Sequence, residues 1–337
     1  MKLIIQIPCY NEEETLHIAL AALPREIEGV DVIEYLVIDD GSTDKTAKVA
    51  RENGVHHVVG FPNNRGLAKG FMLGLRSCLE RGADIVVNTD ADNQYNADDI
   101  PALVKPILDR EADIVIGARP ISHIEHFSML KKILQKIGSG VVARISGTKV
   151  EDAPSGFRAF SRQAASSLSV FSRYTYTLET IIQAGLRNLH VVNVPVGVNE
   201  DLRPSRLVRS IPSYIRKSII TMFRIRILYE PLRFFLGLGA LLFLGGLGVG
   251  GRFLFQYLQG DGGGHIQSLI LAAVLLMMGF QTGLIAFLSD LLSVNRRLLE
   301  ELAEHKRFNS TLEDSPDAKM NVSKPANEKT NSSSAKA

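Results

Sequence analysis

Two blocks of this chain, residues 234–251 and 266–288, contain no Asp, Glu, Lys or Arg. With their flanks, both approach or exceed the roughly 20 residues that a helix needs to cross a bilayer. They read as two transmembrane helices forming a C-terminal hairpin. A buried hairpin in a soluble core is the competing reading, but two such blocks in succession are unusual for a soluble domain. Residues 256–267, with Gly262, Gly263 and Gly264, supply a polar turn between them. Arg216, Lys217, Arg224, Arg226 and Arg233 precede the first block and Arg296, Arg297, Lys306 and Arg307 follow the second. The connecting loop is almost free of Lys and Arg, so both termini are expected on the cytoplasmic side of the cell's inner membrane. Arg252 stands against this bias near the outer end of the first span, where its long stem can snorkel to the interface.

The overall balance of 45% hydrophobic and 22% charged residues conceals this division. Five regions follow: a globular domain at 1–205, a basic interfacial helix region at 206–230, the spans within 231–292, a juxtamembrane helix at 293–308, and a tail at 309–337. The tail is rich in Ser, Asn, Lys and Ala, has little to pack, and is expected to be disordered. A net charge of +2 argues against a nucleic-acid partner. The crowding of basic residues before the first span points to a local anionic partner, lipid or phosphate. Cys9 and Cys78 have neither metal-ligand spacing nor a disulfide framework. The N-terminus shows one Lys and a short apolar run at 3–7, which is no secretory signal, so the globular domain is expected to stay in the cytoplasm.

Within the globular part, β-type runs recur at 3–7, 35–39, 57–60, 85–89 and 114–117. Helical apolar spacing marks 12–23, 43–53, 67–81 and 100–110, with Ser42 or Thr43 as an N-cap and Gly54 as a stop. This rhythm predicts an α/β fold with a mostly parallel, Rossmann-like sheet covered on both faces. Ligands of such sheets collect at the carboxyl ends of the strands, where 8–12, 39–44 and 90–94 fall. Two further segments carry amphipathic spacing. Ile211, Ile215, Ile219 and Phe223 form one apolar stripe; Met129, Ile133, Ile137 and Val141 form another, within 127–145. Both are read as interfacial helices, packing on the sheet being the alternative for the second.

The run Thr89-Asp90-Ala91-Asp92-Asn93-Gln94 follows an apolar strand directly. A D-x-D turn presents two carboxylates that can hold a hard cation through oxygen, although acidic turns are common in loops and caps. Its context is more specific. Pro8-Cys9-Tyr10-Asn11-Glu12, then Asp39-Asp40-Gly41-Ser42-Thr43-Asp44, then Asn64-Arg65-Gly66 all precede it, and Asp152-Ala153-Pro154-Ser155-Gly156-Phe157-Arg158 and Arg203-Pro204-Ser205-Arg206 follow. In that order the motifs resemble the family 2 glycosyltransferases of the GT-A fold. They are most similar to the branch of dolichyl-phosphate mannose and glucose synthases and bacterial polyprenyl-phosphate glycosyltransferases. The resemblance covers about 3–226.

The resemblance implies a metal-dependent, inverting transfer of a hexose-type sugar from a UDP- or GDP-sugar to a polyprenyl phosphate at the cytoplasmic membrane face. It implies that Pro8, Tyr10, Glu12, Asp39 and Asp90 surround the nucleotide and that Asp90, Asp92 and Gln94 hold Mg²⁺ or Mn²⁺. A carboxylate accepting from base or ribose donors and a ring available for stacking make the nucleotide assignment chemically sensible. Arg119, Ser139, Arg203 and Arg206, with Lys132, fall on the acceptor-phosphate side, although the spacing before Arg203 departs from the family pattern. Catalytic weight falls on Asp90, Asp92, Asp152 and Arg206, with Asp152 orienting the attacking group or serving as base. The expected partners are the nucleotide-sugar, the polyprenyl phosphate, the bilayer and a second copy of the chain through the spans. The rival readings are a glycosyltransferase for another membrane glycolipid or polysaccharide and a non-catalytic membrane scaffold of the same fold. A processive synthase is disfavoured because its Gln-x-x-Arg-Trp motif needs a Trp, and the chain has none.

Overall fold

The computed structural model describes residues 1–120, 129–170, 176–199, 220, 223–224, 227, 230–260 and 266–313. Seven strands form one sheet: β1 (Lys2–Cys9), β2 (Val32–Asp39), β3 (His57–Gly60), β4 (Ile85–Asn88), β5 (Ile114–Ala118), β6 (Arg158–Ser161) and β7 (Val191–Pro195). Their spatial order is β3-β2-β1-β4-β6-β5-β7. All pairings are parallel except those of β6, which runs antiparallel between β4 and β5. Leu3, Ile4, Ile5 and Ile7 of β1 are completely shielded, as expected of a central strand covered on both faces.

One face of the sheet is covered by α1 (Leu16–Ala22), α2 (Thr46–Glu52) and α4 (Ile100–Leu108), the other by α3 (Leu67–Glu80), α5 (Met129–Ser146), α6 (Arg162–Ser167) and α7 (Thr177–Leu186). On α3, Gly74 allows close approach: a Cβ there would sit 2.3 Å from the Gln6 amide oxygen.

The five expected strands are present, and the helices keep their places with shorter ends. α2 starts at Thr46 rather than Thr43, because the Asp44 carboxylate accepts the Thr46 N–H at 2.9 Å and so ends the preceding loop there. Gly54, at φ +76°, follows its last turn as expected. Among the described side chains of α5, Ser139, Val142 and Ser146 are buried, while Ile137 is 57% exposed. The described part of the helix therefore packs one edge on the domain and leaves Ile137 of the anticipated apolar stripe outside.

Two long helices close the described chain, α8 (Pro231–Leu258) and α9 (Ile266–Glu313). The segments Pro231–Leu258 and Ile266–Asn295 are long and apolar enough to cross a membrane. They meet through glycine: a Cβ on Gly239 would lie 2.9 Å from the Gly279 carbonyl oxygen, and one on Gly279 would lie 2.7 Å from the Phe243 nitrogen. The stripe at 211–219 and the tail from 314 lie outside the described residues, as do Arg203 and Arg206.

Candidate active site

The loops after β1 and β2 are knitted into one wall. Asn11, at φ +56°, donates its N–H to Ser42 Oγ at 3.0 Å and accepts the Thr43 N–H at 2.8 Å. Glu12 is buried; its N–H reaches Thr46 Oγ1 at 2.8 Å and its carboxylate accepts from the Thr15 hydroxyl at 2.8 Å. Asp39 accepts the Ser42 N–H at 2.9 Å. These bonds hold Pro8, Tyr10, Glu12 and Asp39 at neighbouring strand ends, with the Tyr10 ring 41% exposed at the rim.

Asp40 does something its sequence position concealed. Its two oxygens accept the N–H groups of Arg65 and Gly66 at 2.7 and 2.8 Å. It is thereby the clamp that brings the Asn64-Arg65-Gly66 loop against β2. Gly41 lies so close to that loop that a Cβ would meet the Asn63 carbonyl carbon at 2.4 Å.

β4 delivers the D-x-D turn to the same edge. Because β6 is antiparallel, its beginning, not its end, faces this edge, which places Gly156 beside Asp90. Asn88 donates to the Gly156 carbonyl at 2.8 Å and to the Tyr176 hydroxyl at 3.0 Å, and accepts from the Gln6 amide at 2.9 Å. The Gly156 N–H donates to the Tyr95 hydroxyl at 3.1 Å. The Gly156 peptide is thus gripped by residues on both sides of the motif, and a Cβ on it would lie 3.4 Å from each Asp90 oxygen.

Burial, and then the adjacent Asp92 carboxylate, push the Asp90 carboxyl up to about 7, against the pull of Arg119. Two acidic groups forced together in a shielded turn are a donor set that a hard cation relieves. Asp92 also accepts the Gln94 N–H at 3.2 Å, which closes the turn. Asp90, Asp92 and the Gln94 amide oxygen are hard oxygen donors of the type that Mg²⁺ and Mn²⁺ prefer, so the residues present fit such an ion. Among the described residues no group of three or more His, Cys, Asp and Glu side chains meets elsewhere to compete for it.

Across the turn from the donor loops stands Arg119. Its guanidinium donates to both Asp152 oxygens, at 2.7 and 3.1 Å, and lies 5.8 Å from the centroid of Tyr95. Asp152 itself is wholly buried. Its oxygens accept from the guanidinium fork, so in the structure the carboxylate braces Arg119. Ser139 is also buried, and its hydroxyl accepts the Ala153 N–H at 3.1 Å. It is therefore seated under the loop that carries Asp152 rather than on an open acceptor surface. Lys132 belongs to α5, but its side chain lies outside the described set.

Arg158, quoted in the motif only as a turn residue, is fully buried and donates to the carbonyls of Ser155, Thr177 and Ala153, each at 2.8 Å, and to the Thr180 hydroxyl at 2.7 Å. Burial lowers its pKa to about 10. It staples residues 153–155 to α7. Arginine two residues after a glycine in a short motif reads as a surface charge; only the antiparallel turn of β6 into the sheet centre reveals otherwise.

The glycosyl transferase family 2 model matches residues 4–168. Over 211 residues the chain is 30% identical to the UDP-N-acetylglucosamine–dolichyl-phosphate N-acetylglucosaminyltransferase of Methanococcus voltae, covering 56% of this chain and 82% of that protein. It is 28% identical over 218 residues to the undecaprenyl-phosphate mannosyltransferase of Micrococcus luteus, covering 61% and 88%. Among solved structures, glucosyl-3-phosphoglycerate synthase from Mycobacterium tuberculosis, in complex with Mn²⁺, UDP and phosphoglyceric acid, matches with a TM-score of 0.50 and 20% identity. That match spans 66% of this chain and 78% of the synthase, and is a likeness of fold.

Proposed function

We propose, from the premise that this chain belongs to glycosyl transferase family 2, that it moves a hexose-type sugar from a UDP- or GDP-sugar to a polyprenyl phosphate at the cytoplasmic face of a membrane. The observation that carries this reading is the pairing of Asp90 and Asp92 at the strand edge, with Arg119 opposite and two membrane-length helices in the same chain. The names of the relatives, which act on dolichyl and undecaprenyl phosphates, support the acceptor class. The solved neighbour with Mn²⁺ and UDP supports the donor class.

In this reading Asp39 and Glu12 receive ribose or base donors and the exposed Tyr10 ring stacks on the base. Asp90, Asp92 and Gln94 would hold Mg²⁺ or Mn²⁺. When bound, such an ion supplies Lewis-acid neutralisation of the donor's diphosphate. The acceptor needs no base: a phosphate monoester has a second pKa near about 6, so near neutral pH its oxygen is already anionic. That oxygen attacks the anomeric carbon as the bond to the diphosphate breaks, inverting the centre and releasing the nucleoside diphosphate. Arg119, braced by Asp152, neutralises phosphate charge beside the reacting carbon, and a planar fork suits that task. We assign Lys132, Arg203 and Arg206 to the same phosphate-binding side; the two arginines follow Asn199 by four and seven positions.

The basic flanks of the two spans support a topology with both termini and the active site on the cytoplasmic side, the polyprenyl tail staying in the bilayer while only its phosphate rises to the site. Purified protein given a panel of UDP- and GDP-sugars, polyprenyl phosphate and Mg²⁺ or Mn²⁺ is expected to form a glycosyl-phosphoryl-polyprenol, identified by mass spectrometry. Transfer only to another glycolipid would favour the rival acceptor, and no transfer with any donor would favour a scaffold.

A further inference from the structure

Past β7, residues 196–199 run beside the residues that follow the D-x-D turn, and Tyr95 and Val198 form an antiparallel bridge. The Asn199 N–H donates to the Gln94 carbonyl at 2.9 Å, and the Asn96 N–H to the Gly197 carbonyl at 3.4 Å. The Asn199 side chain then adds two bonds, its Nδ2 donating to the carbonyls of Asn93 at 2.9 Å and Tyr95 at 3.2 Å. One residue thereby holds three successive carbonyls, those of Asn93, Gln94 and Tyr95. Both side-chain partners are acceptors only, so the nitrogen, not the oxygen, of the amide must face them. The first of them belongs to Asn93, which sits at φ +56° directly after Asp92. Left-handed backbone at a non-glycine residue persists where its surroundings hold it.

We infer that Asn199 is a positioning residue that fixes the backbone between Asp92 and Gln94 and so sets the direction of the metal-ligand side chains, an inference resting on the donor-site reading above. It touches neither substrate nor ion; it acts through the turn. Groups that orient metal ligands from behind typically change metal affinity or activity by about 10–100-fold when lost. By linkage, ion binding must in return tighten the bonds that Asn199 makes.

The test is a titration of the full-length protein in detergent with Mn²⁺, followed by loss of the free-ion electron paramagnetic resonance signal. Asn199→Ala is expected to bind Mn²⁺ about 10–100-fold more weakly than the wild type. Asn199→Asp, which keeps the size but points an acceptor at two carbonyls, is expected to be no better than alanine. Wild-type affinity in either variant overturns the inference while Asp92→Ala still loses Mn²⁺. If Asp92→Ala binds Mn²⁺ as the wild type does, the donor-site reading falls and takes the inference with it. Hydrogen exchange on the wild type needs no variant: Mn²⁺ is expected to slow exchange of the Asn96 and Asn199 amides together. Protection confined to residues 89–95 contradicts the coupling.

Discussion

The sheet domain and the helical hairpin treat apolar side chains in opposite ways. In β1 and β4, Leu3, Ile5, Ile85 and Val87 are completely shielded, whereas Leu241, Leu244, Phe255 and Met277 of the hairpin each expose more than 60% of their surface. Their interiors differ as well. The sheet domain buries polar groups in satisfied sets, such as Gln6-Asn88-Tyr176 and the four bonds of Arg158. The hairpin brings its helices together through Gly239, Gly246 and Gly279 instead. One half is built for water, by hiding carbon and pairing buried polar atoms. The other suits hydrocarbon, where carbon costs nothing to show and helices gain from close backbone contact. Under the proposed function, the first half holds the charged donor and the second brings the lipid acceptor within reach.

The largest effect that sharpens this contrast belongs to the donor turn. Asp92→Ala, or removal of divalent ions with EDTA, is expected to reduce transfer by about a thousandfold while circular dichroism and membrane attachment stay unchanged. Full activity in chelator would remove the ion from the reading.

Arg158→Ala tests whether the buried polar set belongs to folding rather than binding. It deprives three carbonyls of their donor and is expected to cost about 3 to 5 kcal/mol of stability, seen as a lower melting temperature in detergent. A wild-type melt would mean that water replaces the guanidinium.

Gly279→Val attacks the hairpin alone, because its Cβ would meet the Phe243 backbone at 2.7 Å. Overpacking of this kind costs about 1 to 3 kcal/mol. The expected result is a lower melting temperature in detergent with unchanged Mn²⁺ affinity. Weakened Mn²⁺ binding would join the two halves that the comparison separates.

Tyr10→Ala is the mildest of the set. Loss of one half-exposed stacking ring is expected to weaken nucleotide binding by about three- to tenfold, measured by calorimetry. Unchanged affinity would place the base elsewhere along the strand edge.

Much of the sheet could be read because its strands are continuous apolar runs ending in Pro8, Asp39 and Thr89, where the pattern changes within one residue. β6 could not be read so: its four residues, Arg158–Ser161, begin with a charge and follow a Pro-Ser-Gly turn that reads as loop. With β6 went the meaning of Arg158, and the placement of Gly156 beside Asp90. The loops at 8–12, 39–44 and 90–94 were legible as neighbours because each follows a parallel strand. The pairing of Asp152 with Arg119 was not legible, because the two lie 33 positions apart, beyond any local pattern. Asn199 left no signal at all, since an amide after a short edge strand resembles any loop residue until the turn it grips is seen.

In the proposed reaction the nucleophile is the lipid's phosphate oxygen and no protein base is needed. Liposomes carrying either polyprenyl phosphate or the corresponding polyprenol, with one radiolabelled nucleotide-sugar and Mn²⁺, separate the two cases. Label is expected in the lipid fraction with polyprenyl phosphate and none above background with polyprenol. Equal labelling of polyprenol would contradict it, because an un-ionised hydroxyl would then be attacking and a proton acceptor would have to be found.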